Sequence, residues 1–364
     1  MGEGLVNYHL DSGRASSVNA TLDERRRLFA NLPLDPLYLE WLRRRAWVRT
    51  IHGTTRIEGN TLSDIEVDEL LSGAAGINLP RRDALEILGT REALSFVDEI
   101  APDQSIVSGE PVIREIHRRV LAGQSPLLAP GEYRRGENRV AKPGGETVFT
   151  TPPSGDVGEL MRTFGRWLSG PAIKLPPPTA AALAHLELVA IHPFNDGNGR
   201  TARALGRLFL MRGGYALDGL VSLDAYLDQN RDPYFAAITA AIGRSYAPPY
   251  DATPFVTFFI ESITEAADHV LGRIRELGEA MVLVRGEISN RSLPPAMING
   301  LAYAVINRSI RPADYMRVTG RSKNSATRDL RIAEERGFLV SSGQTRTKVF
   351  LLGSRLTTGV VRPT

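Results

Sequence analysis

The run from His192 to Arg203 combines several residue types that handle phosphate groups. His192 can take a proton from an incoming nucleophile. Gly197 and Gly199 let the backbone fold into a set of N–H groups that can hold an anion. An apolar run with helical spacing follows, so the loop is predicted to open a helix whose N-terminus adds a positive dipole end at the same place. The segment therefore predicts a polyphosphate site.

Charged side chains complete this predicted site. Arg200 and Arg203 are three residues apart and are expected to project from one face of the predicted helix. Asp196 supplies a hard oxygen ligand beside the glycines, where Mg²⁺ on a phosphate would lie. The alternative interpretation is a glycine-rich turn with two surface arginines. The number of positions in this segment that combine a suitable residue type with a suitable spacing argues against it.

Length and composition limit the class of protein. The chain has 364 residues and no Cys, and this length suggests two or three domains. The absence of Cys excludes disulfides and a thiolate zinc site and fits a reducing cytoplasm. The N-terminus has no signal-peptide pattern, and no apolar stretch of about 18 residues occurs, which predicts a cytoplasmic protein without a membrane span.

The charge is unevenly distributed along the chain. The net charge of the whole chain is +3, but residues 285–364 hold 14 basic and 5 acidic residues, a net of +9, and the remainder has a net of −6. A basic tail on an acidic body is typical of a second domain with an anionic partner. Solvated surface charge without a partner is the alternative.

Hydrophobic periodicity predicts a mainly α fold. Residues 1–20 are polar and are expected to be loosely ordered. Ser63 and Glu66 have the spacing of a helix-capping box. No βαβ alternation occurs, so a doubly wound sheet is not expected. Helices are predicted at residues 37–50, 65–71, 85–100, 112–121, 157–168, 180–191 and from 254 to about 284.

Two further patterns predict β-hairpins. Short apolar strands flank a turn at residues 142–145, before the helix at 157–168. After a boundary at Pro294 and Pro295, three helices are predicted at 298–306, 313–318 and 324–336, followed by a hairpin of strands at 338–340 and 348–351 around a turn at 341–344. This last pattern resembles a winged helix. The basic residues that could meet phosphates there are Arg321, Lys323, Arg328, Arg331 and Arg346.

The segment from His192 to Arg203 resembles the signature of the Fic family, H-x-F-x-(D/E)-G-N-(G/K)-R-x-x-R, and every fixed position matches. Fic enzymes typically transfer AMP from ATP to a protein hydroxyl. The resemblance implies a mainly α, Fic-type helical core with a β-hairpin flap, followed by a small winged-helix domain. The related Doc proteins, which transfer phosphate, carry Ala and Lys at the positions of Gly197 and Gly199, so nucleotidyl transfer is favoured.

The resemblance also implies roles for individual residues. His192 is expected to be the catalytic base and Asp196 the Mg²⁺ ligand. The residues expected to bind ATP in the signature are Asn195, Asp196, Gly197, Asn198, Gly199, Arg200, Thr201 and Arg203. A later segment resembles the one that shapes the adenine pocket, from which Tyr234 and Asn230 are carried over. The hairpin residues expected to form the flap, which would bind a target by strand addition, are Thr147, Val148, Phe149 and Thr150.

A second motif lies N-terminal to the signature. Thr54, Glu58 and Gly59 match the inhibitory pattern (S/T)-x-x-x-E-(G/N) of Fic proteins. In the family this Glu binds the second signature arginine, here Arg203, through a charge-assisted contact. Because the γ-phosphate of ATP needs the same arginine, the resemblance predicts an autoinhibited enzyme.

Together these patterns predict three segments and one main function. The segments are an N-terminal helical region with the inhibitory motif at 1–100, a Fic catalytic core at 101–290 and a winged-helix-like domain at 291–364. The predicted function is a protein adenylyltransferase that uses ATP and Mg²⁺ and modifies Tyr, Thr or Ser hydroxyls of a protein, including its own; a homodimer is allowed. The alternatives are AMP removal at the same site, transfer from another nucleotide such as UTP, and a nucleotide-sensing regulator that binds DNA through residues 295–352. The other histidines have no metal-ligand spacing, and no role is assigned to them.

Overall fold

The computed structural model describes residues 8–30, 32, 34–73, 79–141, 145–290, 294–343 and 348–357. The chain divides into two compact units. The first unit comprises residues 1–31 and 46–267, and the second comprises residues 32–45 and 268–364. The three segments derived from the sequence stay a prediction.

The first unit is mainly helical, which confirms the predicted fold class. The long helices α2 and α11 contribute residues to both units. The helices with residues in this unit are α1 (Ser12–Phe29), α2 (Pro36–Ile57), α3 (Asp64–Leu71), α4 (Arg81–Ile100), α5 (Glu110–Val120), α6 (Val157–Leu168), α7 (Pro177–Ile191), α8 (Asn198–Arg212), α9 (Leu223–Gln229), α10 (Arg231–Ile242) and α11 (Thr253–Ser289).

The expectation of loose order was wrong for residues 12–20, while residues 1–7 lie outside the described residues. Helix α1 starts at Ser12, and Asp11 caps it by accepting a hydrogen bond from Arg14 N. Ala15 and Leu22 are buried on one side of this helix. Because the stabilisation of α1 comes from packing of a few apolar positions in a polar sequence, periodicity alone did not reveal it.

Helices α7 and α8 form the centre of the first unit. Helix α7 is buried on nearly all sides, from Pro178 to Ile191. It begins at Pro177, before the predicted start, because proline is tolerated in the first turn of a helix. The core around α8 includes residues from α2, α4 and α5, such as Ile51, Ile87 and Ile116. This core fixes the positions of the α7 C-terminus and the α8 N-terminus.

Two small sheets occur in the first unit. Strands β2 (Arg139–Ala141) and β3 (Thr147–Thr150) pair antiparallel, as predicted, while the turn residues 142–144 lie outside the described residues. Strands β1 (Tyr8–His9) and β4 (Tyr250–Asp251) pair in parallel. The main chain of Thr150 also bonds Arg244 O and Tyr246 N at 2.9 and 3.0 Å, so the end of the hairpin is anchored to the segment after α10.

The second unit contains the predicted three helices and hairpin. The helices are α12 (Ile298–Asn307), α13 (Pro312–Thr319) and α14 (Lys323–Glu335), followed later by the short α15 (Ser354–Thr357). Strands β6 (Leu339–Ser342) and β7 (Val349–Leu352) pair antiparallel, and a short β5 (Ser309–Ile310) pairs with β7. Strand β6 runs through Ser341 and Ser342, which the sequence placed in the turn. The winged-helix assignment stays a prediction.

None of the helices in the described part of the chain is both long and apolar enough to cross a bilayer.

Candidate functional site

The loop between α7 and α8 is folded by its own sequence. His192 ends α7 in the left-handed conformation, with φ 49°, and Gly197 precedes α8 with φ 75°. Asn198 closes the loop, since its side-chain amide donates to Phe194 O and its side-chain oxygen accepts from Phe194 N, both at 2.9 Å. The loop therefore presents the first turn of α8, with its free N–H groups, beside His192.

His117, which the sequence analysis left without a role, supports this loop from α5. Its ring is fully buried and stacks on Phe194, with ring centroids 3.6 Å apart. Nδ1 accepts from Gly131 N and Nε2 donates to Asp196 O, each at 2.9 Å. Burial lowers the pKa of His117 to about 4, so the ring is neutral at physiological pH and keeps this donor and acceptor pattern.

Arg134 is a second supporting residue that the sequence analysis did not assign. Its side chain is buried and donates to three main-chain carbonyls: His192 O at 2.9 Å, Gly136 O at 3.0 Å and Pro152 O at 2.6 Å. Its own N–H donates to Pro193 O at 2.9 Å. Arg134 thus ties the backbone of His192 to both sides of the β2–β3 hairpin. The sequence offered no signal for this, because the partners are backbone atoms far along the chain.

Arg200 has unused hydrogen-bond donors inside the site. Its side chain is only 2% exposed, and Nη2 lies 3.5 Å from Asp196 Oδ1. Its Nε and Nη1 are buried and have no hydrogen-bond partner among the described residues. Because leaving buried guanidinium donors unpaired costs free energy, this arrangement is suited to an anion that would accept from them.

Arg203 is held by the end of α2. Its Nε donates to Thr54 Oγ1 at 2.6 Å, and Nη2 donates to Thr54 O at 2.9 Å and to Glu58 Oε1 at 2.6 Å. The Glu58 side chain is 35% exposed, whereas that of Arg203 is 3% exposed. Burial by itself raises the pKa of Glu58, but the charge and hydrogen bond of Arg203, with Arg200 and His192 nearby, outweigh it, and the pKa is lowered.

The backbone of α8 passes close to Glu58. A Cβ at Gly199 would overlap Oε1 of Glu58 and lie 3.1 Å from Nη1 of Arg203. A side chain at position 199 would therefore require the Glu58 carboxylate to shift from the position that it has here.

Two further residues lie beneath Arg203. Asp224 Oδ1 is 3.4 Å from Arg203 Nε. Tyr234 is fully buried, its hydroxyl bonds His185 Nε2 at 2.8 Å, and burial raises its pKa to about 12, with the nearby Arg203 opposing that rise. The structure thus places Tyr234 in the support of Arg203, and its predicted adenine contact stays a prediction.

His192 has the electrostatic surroundings of a neutral base. Its ring is half-buried, and Nδ1 lies 3.3 Å from Val189 O. Burial lowers the pKa of His192, while the bond to Val189 O and the charge of Glu58 act in the opposite direction. With Nδ1 protonated towards the carbonyl, Nε2 is the nitrogen that can accept a proton.

The remaining residues predicted for the ATP site and the flap differ in their exposure to solvent and in their hydrogen bonds. Asn195 is exposed, and Thr201 is fully buried with its Oγ1 unbonded in the described part of the chain. Asn230 is half-buried between α9 and α10 and donates to Tyr226 O at 3.0 Å. In the hairpin Phe149 is buried, whereas Thr147 and Thr150 are exposed and Val148 is half-buried.

The donor set around Asp196 fits one kind of metal site. No cluster of three or more His, Asp or Glu side chains suited to a metal occurs in the described residues. Asp196 is a single, partly exposed carboxylate beside Arg200. Mg²⁺ is commonly bound by one or two carboxylates together with substrate phosphates and water. Asp196 therefore fits Mg²⁺ that arrives with a polyphosphate.

In the second unit, some of the basic residues predicted to contact phosphates are exposed, and one is paired with a carboxylate. Arg321 is engaged by the fully buried Asp329, with Nε–Oδ2 at 2.8 Å and Nη2–Oδ1 at 3.1 Å. Lys323 and Arg328 are exposed on α14, and Arg346 lies outside the described residues. DNA binding by residues 295–352 stays a prediction.

The loop, both arginines and the supporting His117 fall within one known domain family. The Fic/DOC family model matches residues 109–210. Residues 109–210 are therefore similar to Fic/DOC domains. Glu58 and Asp224 lie outside the matched residues, so both reach the matched segment from flanking segments.

Curated relatives extend the similarity beyond the Fic domain. The protein adenylyltransferase Fic of Aedes aegypti is 31% identical over 288 residues, which is 79% of this chain and 53% of that protein. The protein of the same name from Drosophila ananassae is 34% identical over 223 residues, 58% of this chain and 42% of that protein. The chain spans about half the length of the curated relatives it matches.

Solved structures show the same fold. A Fic family protein from Desulfovibrio desulfuricans G20 has a TM-score of 0.63 at 21% identity and is matched over 95% of this chain and 98% of its own. Fic-1 from C. elegans has a TM-score of 0.60 at 27% identity, over 72% of this chain and 74% of that one. The helical arrangement around the Fic domain is therefore shared with Fic structures.

Proposed function

We propose that this chain is a protein adenylyltransferase that transfers AMP from ATP to a Tyr, Thr or Ser hydroxyl of a protein, including its own. The single observation that carries the proposal is Arg200, whose buried Nε and Nη1 are unpaired in the described residues at the start of α8. These donors need an anion, and the neighbouring glycine loop and helix N-terminus favour phosphate. The similarity to curated adenylyltransferases supports AMP as the transferred group.

The transfer step follows from the positions of His192 and the arginines. The target hydroxyl oxygen attacks the α-phosphorus, its proton passes to Nε2 of His192, and the bond to pyrophosphate breaks as pyrophosphate leaves. Arg200 and Arg203 neutralise the β- and γ-phosphates, while the N–H groups of the α8 first turn hold phosphate oxygens. Asp196 would hold Mg²⁺ together with the nucleotide, and the ion would add neutralisation of phosphate charge. Positioning and charge stabilisation provide most of the catalysis in such a reaction.

The contact between Glu58 and Arg203 supports autoinhibition. Glu58 Oε1 occupies a donor of Arg203 that the γ-phosphate would use. The carboxylate would also repel the phosphate, because both are anions. ATP could then bind only with its α-phosphate badly aimed, and release of Glu58 would be required for transfer.

The hairpin β2–β3 supports the choice of a protein target. Its end is anchored at Thr150 and its base is held by Arg134. Such a hairpin can add an extended segment of a partner by main-chain hydrogen bonds. These contacts would position a hydroxyl near His192 without reading much sequence.

Intact-mass analysis after incubation with ATP and Mg²⁺ tests the proposal. The samples are wild type, Glu58→Gly, and Glu58→Gly with His192→Ala. We expect a gain of one or more AMP groups in Glu58→Gly, little in wild type and none in the double variant. A Glu58→Gly protein that binds ATP but gains no mass would contradict transfer to its own hydroxyls, and an equal gain in the double variant would remove His192 from the mechanism.

A further inference from the structure

The last two turns of α2 are docked on the start of α9. Gly53 lies so close to this segment that a Cβ would stand 2.6 Å from Asp224 O and 2.7 Å from Ala225 N. Thr50 Oγ1 donates to Ser222 Oγ at 2.9 Å on one side of this contact. The position of Glu58 therefore depends on α9 as well as on Arg203.

Asp224 is at the centre of this contact. Its side chain is 13% exposed, and Oδ1 lies 3.4 Å from Nε of Arg203. Thr54 Oγ1 accepts from the same Nε at 2.6 Å. The guanidinium thus has a hydroxyl and a carboxylate near Nε, and a second carboxylate, Glu58, accepts from Nη2 at 2.6 Å.

A buried cation with two carboxylates behaves differently from one with a single partner. Arg203 is 3% exposed, and removing the only counter-ion of a buried charge is strongly unfavourable. Among the described residues, Glu58 and Asp224 are the carboxylates within 4 Å of Arg203. When Glu58 leaves, Asp224 still pairs with the guanidinium.

We propose that Asp224 is a positioning residue that shares Arg203 with Glu58, so that Arg203 keeps its place and a counter-ion whenever Glu58 moves away. Asp224 thereby makes release of Glu58 easier and weakens autoinhibition. It also moderates the attraction of Arg203 for the γ-phosphate once Glu58 is gone. This inference rests on the proposed function, in which Arg203 binds the γ-phosphate.

The proposal predicts opposite effects of Asp224→Asn in two backgrounds. With Glu58 present, Arg203 would depend on Glu58 alone, so Glu58 should be held more firmly and ATP should bind about three- to tenfold more weakly. With Glu58→Gly, Arg203 would have no carboxylate, so ATP should bind more tightly by a similar factor. A residue that only stabilises the fold would shift ATP affinity in the same direction in both backgrounds.

The test is a double-mutant cycle over Glu58→Gly and Asp224→Asn on the full chain. Calorimetry measures the Kd for ATP, and intact mass measures the rate of AMP gain. Asp228→Asn is the matched control, because Asp228 is on the same helix and pairs with Arg56 of α2 at 3.4 Å. We expect the control to change both backgrounds equally. At ATP concentrations below Kd, the activity ratio of Glu58→Gly to its parent should rise about ten- to hundredfold, the product of the two opposite shifts, only with Asp224→Asn.

Equal shifts in both backgrounds, or an unchanged activity ratio, would overturn the proposal. Thermal unfolding checks that each variant is folded, and Asp224→Ser, smaller and uncharged, replaces Asp224→Asn in the cycle if the latter does not fold. If Glu58→Gly transfers no AMP but still binds ATP, the proposed function fails. The Kd values for ATP in the double-mutant cycle then still decide whether Asp224 and Glu58 share Arg203.

Discussion

Glu58 Oε1 lies 2.6 Å from Nη2 of Arg203, although the two residues are 145 positions apart in the chain. The end of α2 and the first turns of α8 are brought together by the core around Ile51 and Leu208. The contact is therefore part of the folded first unit, and its strength depends on the ionisation of Glu58.

Acid should not release Glu58 within the physiological pH range. Arg203 lowers the pKa of Glu58 below its usual 4.5. The ion pair is therefore fully present above pH 4.5 and is lost only as the pH falls through the lowered pKa. We expect the ratio of AMP gain between Glu58→Gly and wild type not to fall as the pH is lowered from 8 to 5.5. A ratio that approaches one at pH 5.5 would contradict this.

The pKa of His192 should lie below its ordinary value of 6.5, so the ring should be neutral at pH 7.5. Burial lowers its pKa below 6.5, and the charge of Glu58 opposes this. In Glu58→Gly the opposing charge is absent, so the pKa should be lower still. We expect the acid limb of kcat/KM in that variant to lie below pH 6.5. Calorimetry of ATP binding over the same pH range shows whether ionisation of the nucleotide, and not of His192, causes the loss of activity. An acid limb above pH 6.5 with constant ATP affinity would mean that the pKa of His192 is not lowered.

Arg134 should affect turnover and not nucleotide binding. Arg134→Lys keeps the charge but loses the fixed fork that donates to His192 O, Gly136 O and Pro152 O. We expect kcat in the Glu58→Gly background to fall about tenfold or more, with the Kd for ATP unchanged. Arg135→Lys is the neighbouring control, since the Arg135 side chain is 92% exposed. Equal losses in both variants would show that the side-chain donors of Arg134 are not important.

His117→Ala should destabilise the signature loop. The change leaves Gly131 N and Asp196 O without their buried partner and removes the ring stacked on Phe194. We expect a loss of about 2 to 4 kcal/mol in the free energy of unfolding, measured by denaturant titration at pH 7.5. His9→Ala, at an exposed position, is the control. A loss as small as that of the control would contradict the supporting role.

Glu187 is a buried carboxylate that should make the fold less stable in alkali. It lies on α7, five residues before His192, and accepts hydrogen bonds from the hydroxyls of Tyr246 and Tyr250. Burial raises its pKa to about 7, and the Tyr246 hydroxyl partly opposes this. A folded-state pKa above the unfolded value means stability that is present below about pH 4.5 and lost as pH rises through 7.

Glu187→Gln should therefore stabilise the protein at pH 8, by up to about 3 kcal/mol, and have little effect at pH 4.5. Denaturant unfolding at the two pH values measures the difference. Glu265→Gln is the matched control, because the exposed Glu265 also accepts from a tyrosine hydroxyl, that of Tyr226. Stabilisation that is the same at both pH values would mean that Glu187 is not the group that titrates.

Local sequence determined the loop and its helix. The glycine at 197 and the apolar spacing of α8 act over a few residues, so the sequence predicted them and the structure has them. The reciprocal amide bonds of Asn198 with Phe194 are equally local, but they were not predicted, because the sequence analysis assigned Asn198 to ATP binding. The capping box of Ser63 and Glu66 is equally local, and both of its hydrogen bonds are present.

Only the tertiary structure decided which distant groups support and restrain that loop. His117 meets Asp196 across 79 positions, Arg134 meets His192 across 58, and Asp224 meets Arg203 where two helices join. His117 and Arg134 bind backbone atoms, and Asp224 shares Arg203 with Glu58. Contacts of these two kinds produce no hydrophobic periodicity and no motif of fixed spacing in the sequence. Burial sets the pKa values of His117 and Glu187, and burial is a property of the packed core. The sequence thus determined the chemistry available at the site, while packing over long separations determined which groups are charged, paired or unpaired there.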